Sequence, residues 1–264
     1  MREKRNILII ILLIIFIILN FSVYLINKKN VIYLGSITKI EVKNNNIKIY
    51  NEKSKLNLIK AKIYFNGSFI NGYLKSDRGN INNKAILYKA YNESGTILRF
   101  TDDLIAYTGK AKINILDANV ITNILDGDKE IISNFLRSDY GDGIGLDFAL
   151  DYKEYKKVIY DIDNDGDKEY LYSLNLIEEN KTSYSYVFII DDDELKVINS
   201  KKGDITDQKY DVISFFKLID LNDDGKYEIV LRLKNGEYGD NVYKIYNYDG
   251  EISEIKWKED SYVF

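Results

Sequence analysis

The stretch VIYDIDNDGDKEYLYSL at residues 158–174 returns later in the chain as KLIDLNDDGKYEIVLRL at residues 217–233. Five positions match at a single offset of 59 residues, and the residues that follow them keep the same alternation of side chains. A period of two is typical of a β-strand, so a whole β unit is repeated. The matching pairs are Asp161 with Asp220, Asp163 with Asn222, Asp165 with Asp224, Gly166 with Gly225, and Glu169 with Glu228.

Each copy predicts a tight cation-binding loop between two strands. Oxygens at positions 1, 3 and 5 of such a loop converge, and Gly at position 6 allows the turn that brings in the backbone carbonyl of position 7. A carboxylate at position 9 completes a set of hard oxygen ligands, the kind that Ca²⁺ takes. The candidate metal ligands are Asp161, Asp163, Asp165, Asp167 and Glu169 in the first loop, and Asp220, Asn222, Asp224, Lys226 and Glu228 in the second.

The pattern excludes an EF-hand, since position 12 is Tyr172 or Leu231 instead of Glu and the flanks alternate as strands. An acidic surface turn that binds nothing remains an alternative. If both loops bind, we expect the first to bind calcium more tightly, because Asn222 leaves the second with one carboxylate fewer.

The motif D-x-D-x-D-G-x-x-E between strands resembles the calcium hairpins of FG-GAP and VCBS repeats, over about residues 155–258. The resemblance implies calcium as the bound ion and propeller-like blades. A second predicted hairpin follows each loop, at residues 186–198 and 242–256, which makes four strands per repeat. Two blades cannot close a ring. We therefore expect an open pair of sheets packed face to face, or a partial ring completed by strands from residues 32–116.

Residues 32–116 show short alternating runs separated by turn signals such as Asn66-Gly67. This spacing predicts a small antiparallel β-sandwich over residues 30–120. Residues 63–117 also resemble the FxLYD-type immunoglobulin-like domains of bacterial envelope proteins, through Asn71, Gly72, Tyr73 and the turn glycines. Residues 121–150 form a connector, in which residues 128–137 predict a helix capped by Asp126 or Asp128.

The N-terminus carries the sequence ILIIILLIIFIILNFSVYLI at residues 7–26, about the length that an apolar helix needs to cross a bilayer. No small-residue cleavage signal follows it, which favours an uncleaved membrane anchor within residues 1–29 over a signal peptide. The basic residues before it favour a cytoplasmic N-terminus, which would place residues 30–264 outside the membrane. Residues 151–264 hold the two calcium-loop repeats.

Composition narrows the functional classes. The chain has no Cys and no His, which removes thiol and imidazole catalysis. Its net charge is −4, and residues 1–29 are basic, so the remainder is acidic and unsuited to nucleic acid.

We therefore expect a mainly β, non-enzymatic, membrane-anchored calcium-binding protein at the cell surface, with a surface protein or glycan as a partner. A cell-wall or carbohydrate-binding role through Tyr residues or Trp257 is an alternative. A carboxylate-based glycan hydrolase is another.

Overall fold

The computed structural model describes residues 30–35, 38–43, 46–51, 58–78, 86–94, 97–98, 104–109, 113–117, 119–120, 124, 126–140, 154–178, 182–204, 212–234 and 241–256. These ranges hold eighteen β-strands and one α-helix, in antiparallel sheets of which none is closed. The mainly β class is confirmed. The apolar segment 7–26 lies outside the described residues, and within them no helix is long and apolar enough to span a membrane.

The first part of the chain forms one eight-stranded sheet, called here the N-terminal sheet. Its strand order is β3-β2-β1-β8-β4-β5-β6-β7. The predicted Asn66-Gly67 turn joins β4 to β5, with positive φ at both residues. The strands are β1 (Asn30–Leu34), β2 (Thr38–Lys43), β3 (Asn46–Asn51), β4 (Ile59–Phe65), β5 (Ser68–Arg78), β6 (Ile86–Asn92), β7 (Ile97–Leu98) and β8 (Ile105–Thr108).

This single sheet differs from the two-sheet sandwich expected over residues 30–120. The described strands of that region do not supply a second sheet facing the first; the short strands β9 (Asn114–Leu116) and β10 (Asn119–Val120) join the sheets of the repeats instead. One face of this sheet packs on the second repeat through Ile32 and Leu34, and the other face also buries residues such as Tyr33 and Ile63, so the sandwich stays a prediction.

Each repeat forms its own antiparallel sheet of four consecutive strands, as the four-strand repeat predicts. The first-repeat sheet has the order β10-β11-β12-β13-β14, and the second-repeat sheet has the order β18-β17-β16-β15-β9. The repeat strands are β11 (Glu154–Tyr160), β12 (Glu169–Glu178), β13 (Thr182–Asp191), β14 (Glu194–Asp204), β15 (Val212–Asp220), β16 (Glu228–Lys234), β17 (Asn241–Tyr248) and β18 (Ile252–Glu254).

The three sheets stack in layers. One face of the second-repeat sheet packs on the N-terminal sheet through residues such as Val230 and Tyr243. The other face packs on the first-repeat sheet through residues such as Leu231 and Tyr246. Ser173 and Ser185 accept hydrogen bonds from β15 backbone N–H groups across this second junction. The expected face-to-face packing of the two repeats is therefore present.

The outer face of the first-repeat sheet is covered by helix α1 (Asp126–Tyr140), which contains the predicted helix 128–137. Asp128 does not act as the expected cap: its carboxylate accepts hydrogen bonds from Lys157 Nζ at 2.9 Å and from the Tyr172 hydroxyl. Asp139 accepts a hydrogen bond from the Tyr186 hydroxyl at 2.5 Å. Burial of these tyrosines requires polar partners, and the helix supplies one at each end.

The stacking explains why the two repeats keep the same side-chain phase. Tyr172 in the first repeat faces helix α1, and its equivalent Leu231 in the second faces the first-repeat sheet. Equivalent positions thus point toward the element that precedes each sheet in the chain, which is helix α1 for the first repeat and the first-repeat sheet for the second. The two loops lie side by side, since the Tyr227 backbone N–H donates to the Ile162 carbonyl.

Candidate metal centre

The first loop, residues 161–169, is a compact hairpin connection between β11 and β12. The Asp161 carboxylate accepts hydrogen bonds from the backbone N–H groups of Asp165 at 3.0 Å and Gly166 at 3.2 Å. Asn164 and Gly166 adopt positive φ values of 59° and 106°. The left-handed glycine at position 6 is therefore present as predicted, and the backbone folds around the carboxylate at position 1.

Three carboxylates of this loop converge. Asp161, Asp163 and Glu169 each offer an oxygen atom, and these atoms lie within 4.8 Å of one another. Glu169 is 1% exposed, and its Oε2 accepts a hydrogen bond from the Ile162 backbone N–H at 2.6 Å. Three acidic groups held this close repel one another unless a proton or a cation lies between them.

Asp163 gives the clearest sign of a missing partner. The residue is only 7% exposed, and its Oδ1 has no hydrogen-bond partner among the described residues. A buried carboxylate oxygen without a partner costs free energy, since it has lost its hydration without compensation. A cation at the centre of the cluster would supply the contact that the oxygen lacks.

Burial also changes the acidity of the cluster. It raises the pKa of Glu169 from 4.5 to about 7, with smaller contributions from Asp163, Asp191 and Asp165. Burial likewise raises the pKa of Asp163, and Asp165 adds to the effect. The metal-free protein therefore favours a proton in the place where a cation would sit.

The second loop, residues 220–228, has the same backbone hairpin but a different internal network. Asp220 accepts backbone hydrogen bonds from Asp223, Asp224 and Gly225, and Glu228 Oε2 accepts one from Leu221 at 2.9 Å. Among the described residues, no three carboxylates of this loop come as close together as those of the first. The shared backbone therefore does not guarantee a shared cluster.

Two side chains of the second loop account for much of this difference. Asn222 Nδ2 donates to Asp224 Oδ2 at 2.7 Å, so the amide occupies a carboxylate oxygen that a cation would need. The Lys226 ammonium pairs with Asp249 Oδ1 at 2.7 Å beside a cavity of about 270 Å³, which Asp224 and Glu228 also line. In this loop the Asn222 amide already donates to the Asp224 carboxylate, and the Lys226 ammonium pairs with Asp249 of the neighbouring turn.

The two loops adjoin each other at the junction of the repeats. The Tyr227 backbone N–H donates to the Ile162 carbonyl at 3.0 Å, and the Tyr160 and Tyr227 rings meet edge to face at 5.0 Å. The two loops are therefore in direct contact.

The predicted ligands divide into two groups. The structure brings Asp161, Asp163 and Glu169 together, whereas the side chains of Asp165 and Asp167 are exposed and lie outside this group. In the second loop the predicted side-chain ligands are spread among internal hydrogen bonds. Tighter calcium binding by the first loop stays a prediction, and the geometry points in the same direction.

Sequence reasoning missed Asp191. Tyr170 pairs with Ile190 across β12 and β13, so the next pair outward places Asp191 opposite Glu169. No motif spacing signals this residue, because it depends on which strand lies next to β12. Strand pairing predicted from the four-strand repeat is the only signal that could have found it.

The aromatic platform required by the carbohydrate-binding alternative is not seen in the described part of the chain. No Tyr or Phe whose side chain is described there is exposed, and several tyrosines are core residues. Trp257 lies outside the described residues.

The raised pKa values predict that the metal-free protein loses stability as the pH rises. Burial raises the pKa of Glu228 to about 7 as well, so both glutamates hold their protons more tightly in the folded chain than in the unfolded chain. Their contribution to stability is fully present below pH 4.5 and is lost as the pH rises through about 7. We expect a loss of about 1 to 2 kcal/mol for each carboxylate.

Thermal unfolding in a chelator across this pH range measures the effect. Saturating calcium should remove the part of the pH slope that is due to Glu169. A Tm that stays constant or rises over the same range in the chelator would contradict the assignment.

Comparison of the chain with protein-family models, with curated proteins and with solved structures found no match. The resemblances to FG-GAP and VCBS repeats and to FxLYD-type domains therefore stay predictions. The functional argument for this chain rests on the geometry of its own residues.

Proposed function

We propose that the first loop binds one calcium ion between Asp161, Asp163 and Glu169. The observation that carries the proposal is the buried Asp163 Oδ1, which has no hydrogen-bond partner in the described part of the chain and lies beside two further carboxylates. A cation there would satisfy the orphaned oxygen and cancel the repulsion within the cluster.

The donor set selects the kind of ion. All three converging side chains offer carboxylate oxygens, and the chain has no Cys or His, so a site for zinc or copper is not favoured. Calcium accepts six to eight oxygens in a flexible arrangement, which suits a loop whose residues 164–168 are exposed. Magnesium demands a stricter octahedron and keeps more of its own water.

The role that follows from this position is structural. An ion that binds the folded loop and not the unfolded chain stabilises the fold by linkage, by about 1.4 kcal/mol when calcium is at ten times the dissociation constant. The converging carboxylates would then be committed to the ion, which favours a binding or structural role over catalysis. The proposed partner is a glycan or a surface protein that binds at the edge of the sheets where calcium orders the first loop.

The proposed setting is the outer face of a cell membrane. The apolar run at residues 7–26 and the basic residues before it support an N-terminal anchor with the β-sheets outside. Calcium sites of extracellular modules commonly bind with dissociation constants of about 10⁻⁴ to 10⁻³ M. Digestion of the β-sheets by protease added to intact protoplasts would support this topology, and survival of that part beside a digested surface control would overturn it.

Calcium titration of the full chain in detergent micelles, by calorimetry, tests the ion site. We expect Asp163→Asn to weaken binding at the first loop by more than about tenfold, because a neutral amide replaces the buried carboxylate. Asp167→Asn is the matched control, since it removes the same charge from an exposed side chain of the same loop. No calcium binding by the parent chain at millimolar concentration, or equal losses in both variants, would sink the proposal.

A further inference from the structure

We propose that the calcium site of the first loop is held in place by the junction of the two repeats, through Asp191 and the turn between β17 and β18. This inference rests on the proposed function of the first loop. It adds a positioning residue, Asp191, and an element of the second repeat that the loop motif does not contain.

The pairing of the strands places Asp191 at the cluster. The last regular pair between β12 and β13 is Tyr170 with Ile190, and one step further outward Glu169 meets Asp191. Directly opposed residues on antiparallel strands have Cβ atoms about 4.5 to 5.5 Å apart and point to the same face. Asp191 therefore lies next to Glu169 but outside the group of oxygens that Asp161, Asp163 and Glu169 bring together, so we assign it a positioning role.

Asp191 is held by the second repeat. The Tyr248 hydroxyl donates to Asp191 Oδ2 at 2.5 Å, and Lys196 Nζ lies 3.3 Å from the same oxygen. Lys196 Nζ also donates to the Gly250 carbonyl at 3.0 Å. These contacts tie the turn between β13 and β14 to the turn between β17 and β18 across the two sheets.

The turn between β17 and β18 also lies near Asp163, whose Oδ1 is the oxygen without a hydrogen-bond partner among the described residues. The Gly250 backbone lowers the pKa of Asp163, although burial, the largest cause, raises that pKa overall. One turn of the second repeat thus touches both Asp163 and, through Tyr248, Asp191. An ion that orders this cluster would order the junction as well.

The second repeat lacks the same arrangement. Ile229 pairs with Tyr246, so the position opposite Glu228 is Asn247, an amide in place of the Asp191 carboxylate. The same offset that aligns the loops does not align these two positions, because the strands after the loops differ in length. A carboxylate opposite the glutamate at position 9 is therefore found beside the first loop and not beside the second.

Ion binding and docking of the repeats should be reciprocal. If the junction helps to form the site, then the ion strengthens the junction by the same coupling free energy. Hydrogen exchange of the full chain should show calcium protecting the turn at Asp249 and Gly250 as well as the first loop. Protection confined to residues 161–169 would overturn the inference.

Two matched pairs of variants test the contribution of each side chain to calcium affinity. We expect Asp191→Asn to weaken calcium binding at least fivefold, while Asp193→Asn changes it less than twofold. Asp193 belongs to the same turn, is exposed and has a φ of 63°, which Asn also accepts.

The second pair separates the site from general stability. Tyr248→Phe and Tyr246→Phe each remove a hydroxyl that bridges the same two sheets, since Asn199 Nδ2 donates to Tyr246 at 2.5 Å. Both variants should lower the Tm in a chelator by similar amounts. Only Tyr248→Phe should weaken calcium binding, by about threefold to tenfold.

The outcomes are distinguishable from failure of the proposed function. If the parent binds calcium and Asp163→Asn weakens it, but Asp191→Asn and Tyr248→Phe bind as the parent does, the junction has no part in the site and this inference alone is wrong. Equal weakening by both members of each pair would also overturn it. A parent chain that binds no calcium would overturn both proposals.

Discussion

We expect Glu169→Gln to affect the stability of the protein in opposite directions with and without calcium. In the metal-free chain, burial raises the pKa of Glu169 to about 7, so at pH 8 the folded protein carries an ionised carboxylate at a cost. A neutral Gln removes that cost and still offers an oxygen to the Ile162 N–H. The free energy of unfolding in a chelator at pH 8 should therefore rise by about 1 to 2 kcal/mol, and the Tm should rise with it.

Calcium binding should respond in the other direction. Loss of a group that merely supports a metal ligand costs about 10- to 100-fold in affinity, so loss of a ligating carboxylate should cost about 100-fold or more. The variant would then gain no stability from calcium, whereas the parent would. Calorimetry and thermal unfolding of the two chains, each with chelator and with saturating calcium, measure both effects.

Glu228→Gln is the control for this substitution. Glu228 occupies the matching position of the second loop, is 5% exposed, and has a pKa that burial raises to about 7. It should give the same gain in the chelator without the loss of binding at the first loop. A Glu169→Gln variant that binds calcium like the parent, or that is destabilised in the chelator, would contradict the assigned role of this carboxylate.

The layered repeats could be predicted from the sequence because their signals are local. Matching loops at a fixed offset and the period-two alternation of positions such as Tyr172 and Leu231 predict two similar sheets. The sandwich expected over residues 30–120 stays a prediction: the described strands of that region form one sheet, and alternation shows that a strand buries one face but not which sheet covers that face.

The sequence also predicts part of the candidate site, namely which loop residues come together, but not the direction of every side chain. The loop spacing identifies Asp161, Asp163 and Glu169 correctly as residues that come together. It does not separate them from Asp165, whose side chain is exposed, since ligand spacing fixes the backbone path more closely than the side-chain direction. The position of Asp191 near Glu169 depends on the pairing of β12 with β13, which the loop motif does not contain. The hydrogen bonds of the second loop differ from those of the first because of Asn222 and Lys226.

A second large effect is expected outside the loops, at Gly35. This residue follows β1, has a φ of 55°, and donates its backbone N–H to the Leu104 carbonyl at 2.7 Å. A Cβ atom at this position would lie 2.5 Å from Tyr243 Cε2 and 2.9 Å from the Tyr243 hydroxyl. Tyr243 is fully buried at the contact between the N-terminal and second-repeat sheets, so its ring has little room to move.

We expect Gly35→Ala to destabilise the protein by about 2 to 5 kcal/mol, the sum of a left-handed backbone that disfavours a side chain and an overpacked ring. Gly67→Ala is the matched control, because Gly67 has a φ of 80° but nothing within 4 Å of the added Cβ, and it should cost only about 1 to 2 kcal/mol. Denaturant unfolding of both variants in a chelator, followed by tyrosine fluorescence, measures the difference.

Equal losses would show that backbone strain alone acts at Gly35 and that the N-terminal sheet does not meet Tyr243 as closely as described. A larger loss at Gly35 that Tyr243→Leu relieves, by making room for the new methyl group, would establish the contact as the point where the N-terminal sheet is seated on the second repeat.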